Sequence, residues 1–136
     1  MNPDQLMINK TYLLIAVFLS LVIQPVYSQS SFYPLEEVKP GLKGTGKTIF
    51  KGSEIEEFSF EILGILRDTA PGHNMILARL EGEKLEKYGV FAGMSGSPVY
   101  IDGALLGAVA YGFSFATEPI AGITPIQEMV DVFSRA

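Results

Sequence analysis

Between residues 41 and 123 the apolar positions fall in short runs separated by glycine, proline and acidic residues, a strand-forming pattern rather than a helical one. Residues 47–51 (KTIFK) predict a short first strand. In 57–66 (EFSFEILGIL), Phe58, Phe60 and Ile62 alternate with their neighbours, the period-two signature of a half-buried strand. A turn at Ala70-Pro71-Gly72 separates it from a third strand at 74–80 (NMILARL). The polar stretch 81–89 has room for a helical turn. Residues 99–101 and 104–111 flank Asp102-Gly103, a dipeptide that accepts the positive φ angles of a type I′ hairpin turn. The second arm, ALLGAVAY, has almost no polar residue, so cover on both faces is expected. A last strand at 119–123 leads to a helix with Thr124 as N-cap and Pro125 in its first position, running to about Ser134. Ile126, Met129, Val130 and Phe133 would share one face of it. The expected fold is mainly β: a small antiparallel six-stranded barrel with a C-terminal helix.

The first residues carry a different pattern. Lys10 precedes an apolar run at 11–23, which Gln24 and Pro25 end, and Val26 and Ser28 stand three and one residues before a cut at Gln29. The run reaches about 20 Å as a helix, short of the ~30 Å hydrocarbon core. Residues 1–28 therefore read as a secretory signal peptide, with an uncleaved membrane anchor as the alternative. Residues 29–40 are an extended lead-in holding Pro34 and Pro40, and 41–136 form one small domain. The net charge is −5, unchanged by the cut because Asp4 and Lys10 leave together. An acidic chain without basic clusters argues against nucleic acid or anionic lipid as partners. With no cysteine, an exported domain must rely on its core alone.

The chemistry concentrates in Gly93-Met94-Ser95-Gly96-Ser97-Pro98. A nucleophilic serine must project its Oγ from a tight turn whose backbone N–H groups can hold an oxyanion. Glycines beside it permit the backbone angles and leave the substrate carbonyl unobstructed. In the chymotrypsin arrangement the donors would be the N–H groups of Ser95 and Gly93. The plainer alternative is a glycine-rich turn in which Ser95 merely meets solvent.

EIEEFSFEILG, NMILARL, KYGVFAGMSGSPVYIDGALLGAVAYGF and EPIAGITPI together resemble the C-terminal part of the SpoIVB-type serine peptidase family. The resemblance implies a chymotrypsin-like fold, a peptide or protein substrate and Ser95 as nucleophile. It sets the family's aspartate near Glu81, where the glutamate is a departure. Met94 stands where digestive enzymes carry an aspartate for zymogen activation, and Ser97 replaces a second glycine. The family's base histidine lies upstream, so 41–136 corresponds to a serine-bearing barrel whose base comes from a histidine-bearing partner segment. The single histidine, His73, reads as an exposed turn residue rather than that base.

Residues 41–48 (GLKGTGKT) match the phosphate-loop pattern letter for letter, but neither a buried strand before nor a helix after is expected. No cofactor or metal is expected. The reading is an exported serine peptidase-family domain, incomplete alone for want of a base; the alternative is a non-catalytic peptide-binding domain derived from one.

Overall fold

The computed structural model describes residues 3, 32–113 and 115–134. The apolar N-terminal run and the cut expected before Gln29 lie outside them.

Six antiparallel strands close into a barrel: β1 (Lys43–Thr48), β2 (Glu56–Ala70), β3 (His73–Glu81), β4 (Pro98–Ile101), β5 (Ala104–Gly112) and β6 (Ile120–Pro125), in the order β1-β2-β3-β6-β5-β4. Pairing of Thr45 with Tyr100 and Gly46 with Val99 joins the two ends of the sheet. The alternation read from the sequence sets the core. Phe58, Phe60 and Ile62 of β2 meet Ile76, Ala78 and Leu80 of β3 inside the barrel, with Val99, Ile101, Leu106, Val109 and Ile123 from the remaining strands. Beyond Ile62 a register shift at Gly64 bends β2, and its last five residues with the start of β3 form an exposed hairpin arm. Asp102 and Gly103 take φ angles of 49° and 79°, as a type I′ turn requires.

β1 differs from expectation. It starts at Lys43 rather than 47 and consumes the phosphate-loop-like string, so Gly44, Thr45 and Gly46 are strand residues. The register gives the reason: Gly44 lies opposite Phe60 and Gly46 opposite Phe58. A Cβ at Gly46 would collide with the Phe58 ring, and one at Gly44 with both the Phe60 ring and the Tyr100 carbonyl. The glycines make room for two core phenylalanines, not for phosphate. Gly44→Ala should therefore lower stability by about 3 kcal/mol, because the carbonyl cannot move aside without breaking the β1–β4 seam. Gly64→Ala, where a Cβ meets nothing within 4 Å, should stay close to wild type. Thermal melts of the two variants check the contrast.

The lead-in is not simply extended. Phe32 bridges Leu105, Tyr33 N–H donates to the Leu105 carbonyl (2.9 Å), Leu35–Glu37 form a 3₁₀ turn, and Val38 enters the core. It covers the outer face near the start of β5. That strand is accordingly buried or half-buried on both faces as far as Ala110, while Tyr111 and Gly112 are exposed. Two helices complete the fold. α1 (Glu83–Tyr88) drops Leu85 into the core, and α2 (Ile126–Ser134) follows β6 with no loop between. Thr124 and Pro125 are thus strand residues and not the helix cap. Ile126, Met129 and Val130 are half-buried, but Phe133 is 83 % exposed, so the apolar face packs only over the first turns. No helix among the described residues is long and apolar enough to cross a membrane.

Candidate active site

The serine loop is fixed from both sides. A 3₁₀ turn at Ala92–Met94 precedes Ser95, and Met94 is fully buried, anchoring the turn from beneath. After the serine, Gly96 takes φ +84°, a conformation that glycine adopts without strain, and its N–H donates to the Val109 carbonyl at 2.7 Å. Val109 N–H returns a bond to the Ser97 carbonyl at 2.9 Å. The buried Ser97 hydroxyl donates to Thr48 Oγ1 at 2.8 Å. This hydroxyl pair satisfies two groups that would each cost about 1–3 kcal/mol if buried alone. Ser97, read as a substitute for a second glycine, and Thr48, read as the end of a phosphate loop, together tie the nucleophile loop to β1. No local sequence signal links them, since they are 49 positions apart.

Ser95 stands exposed at the apex, and its Oγ has no hydrogen-bond partner among the described residues. It borders a cleft of about 280 Å³ between residues 90–92 and residues 109–112. No charged side chain lines this cleft. Its width is set by Val90 against Gly112, where a Cβ would meet Val90 Cγ1 at 3.2 Å.

The other expected site residues are not gathered around the serine. Ser95 N–H donates to the Ala92 carbonyl at 3.2 Å. In a trans peptide the C=O of Ala92 and the N–H of Gly93 point in opposite directions, so the Gly93 N–H is directed away from that of Ser95. The two expected oxyanion donors therefore diverge in this conformation. Glu81, at the end of β3, lies 3.8 Å from Lys43 Nζ and borders a different cleft, with Tyr100 and Asp102, that excludes Ser95. His73 opens β3 at the tip of the hairpin arm, its Nδ1 3.4 Å from Glu128 Oε2. Glu128 also accepts from the Asn74 backbone N–H (2.7 Å) and from Asn74 Nδ2 (2.9 Å), so this cluster ties α2 to the hairpin. None of its members lines the serine cleft. Among the described residues no group of His, Cys, Asp or Glu side chains is placed to hold a metal ion.

The arrangement is a rigidly clamped turn that presents a free serine hydroxyl beside an uncharged cleft, with neither base nor open oxyanion hole. No curated protein and no solved structure matches the chain. The model of one family, SpoIVB peptidase S55, does match, over residues 27–130, which include the whole barrel and the Ser95 loop. On that match, the chain belongs to the SpoIVB peptidase family, and its barrel is a serine peptidase-family domain.

Proposed function

We propose that this chain is an exported serine peptidase domain that cleaves peptide bonds through Ser95, with an imidazole base contributed by a histidine-bearing partner segment. The supporting observation is the clamp on the serine loop. Met94, Gly96, Ser97 and Val109 hold every residue around Ser95 while leaving its hydroxyl free. In the reaction, Ser95 Oγ bonds to the substrate carbonyl carbon as its proton passes to the imidazole. The C–N bond then breaks, and the imidazolium proton goes to the leaving amine. Water hydrolyses the resulting ester and regenerates the hydroxyl. An uncharged cleft narrowed by Val90 against Gly112 favours a small apolar side chain ahead of the scissile bond. Export rests on the short apolar run before Gln29; if the run is not cut, it anchors the domain to a membrane.

The second reading is a non-catalytic peptide-binding domain, favoured by the lack of an imidazole or carboxylate among the cleft residues. A fluorophosphonate probe separates the two. In cell-envelope extracts containing the native protein, the probe is expected to modify Ser95 and to leave a Ser95→Ala variant untouched. Labelling equal in both proteins, or absent from both, rules out the catalytic reading.

A further inference from the structure

Beside the serine cleft lies a larger groove of about 550 Å³ between α1 and the segment that follows β1. Phe91 is common to both. Phe50 and Phe91 form its aromatic floor, with ring centroids 5.8 Å apart, and Tyr88 stands 69 % exposed at its margin. Lys51, Lys84 and Lys87 surround it, against a single lining carboxylate, Glu83. Lys84 is already held: its Nζ lies 5.0 Å from the Phe50 centroid and 2.6 Å from Glu56 Oε2. Lys51 and Lys87 have no carboxylate partner among the described residues, and Lys87 rests over the Tyr88 ring at 5.2 Å. In a chain of net charge −5, three lysines around one aromatic groove are a local reversal of sign.

From this geometry we infer that the groove binds an acidic, apolar peptide segment, continuous with a chain lying in the serine cleft. An aromatic or aliphatic side chain fits among Phe50, Phe91 and Tyr88, where burial of its area supplies affinity. Carboxylates on the same segment face Lys51 and Lys87, supplying orientation and selection against basic peptides. Because Phe91 walls both spaces, a chain leaving the serine cleft past this ring enters the groove directly. The inference rests on the cleft receiving peptide, which the catalytic and non-catalytic readings share, and it does not depend on turnover.

Titrating the ¹⁵N-labelled protein with three short peptides, followed by NMR, tests it. The probes are acetyl-Glu-Asp-Leu-Phe-Ala-amide, its counterpart with lysine for both acids, and one with serine for Leu and Phe. The first should shift the amides of Phe50, Lys51 and α1, and should bind at least about tenfold more tightly than either of the others. Raising salt from about 0.05 M to about 0.5 M should weaken it, since both lysines are exposed. A Lys51→Glu, Lys87→Glu double variant with unchanged circular dichroism should prefer the lysine peptide instead. Equal affinity for all three peptides, shifts confined elsewhere, or no binding at about 1 mM overturns the inference. So do groove shifts that depend on protein concentration without peptide, which would assign the groove to a second copy of the chain. If the groove fails to titrate while Ser95 still takes the fluorophosphonate, only the groove inference falls. If it titrates while Ser95 stays unlabelled, only the catalytic reading falls.

Discussion

Val109→Asp is expected to unfold the domain. Val109 is 2 % exposed in the middle of β5, opposite Ile123, and no basic side chain shares its core cluster. An ionised carboxylate there carries a desolvation penalty of several kcal/mol, and protonating it still leaves a buried polar group without a partner. Loss of the valine's own burial adds about 1.5–3 kcal/mol. The total approaches the roughly 5–15 kcal/mol that stabilises a typical domain. Circular dichroism should show no cooperative melt, whereas Val132→Asp, at a position 61 % exposed on α2, should melt like wild type. The nucleophile loop would be lost with the barrel, because the Val109 backbone holds Gly96 and Ser97. A Val109→Asp protein with the wild-type melting temperature would contradict the burial on which the whole site stands.

How far the sequence foretold this structure depends on whether the deciding contact is local. Phe58, Phe60 and Ile62 announced an inward-facing strand because side chains alternate along β structure whatever the partner strand is. Asp102-Gly103 announced its turn because few dipeptides accept two positive φ angles. The start of β1 was hidden: Gly44 and Gly46 look like loop residues until Phe60 and Phe58 are placed across from them, which only pairing reveals. Likewise, Thr124-Pro125 has the form of a helix cap, yet pairing of Ala108 with Thr124 and Gly107 with Pro125 extends the strand through both. At the site, glycine on both sides of a hydrophobically tethered serine was legible. The direction of the Ala92–Gly93 peptide was not, since glycine permits either orientation. Glu81 was assigned by resemblance alone, and the register that sets it opposite Ser59 and near Lys43 is a property of three strands together.

The isolated chain is expected to hydrolyse casein at a rate about 10⁴ to 10⁶ below that of a complete triad enzyme. Two features of the site oppose turnover, and their magnitudes differ. Opening the oxyanion hole requires rotating the Ala92–Gly93 peptide, which forfeits the 3.2 Å bond from Ser95 N–H to the Ala92 carbonyl. Such a bond contributes about 1 kcal/mol net, roughly a fivefold effect, and a bound substrate carbonyl would replace it. The missing base is the larger deficit: at about 1.4 kcal/mol per tenfold, its absence raises the barrier by about 5.5–8 kcal/mol. Adding a histidine-bearing segment of the same family, in cis or in trans, should therefore restore casein cleavage and fluorophosphonate reactivity together. A change that only frees the Ala92–Gly93 peptide should recover less than about tenfold. His73→Ala should alter neither rate, because His73 pairs with Glu128 at the hairpin tip and lines no part of the serine cleft. If the isolated chain proves active, and His73→Ala abolishes that activity while the melting temperature holds, His73 is the base and the partner-segment mechanism is wrong.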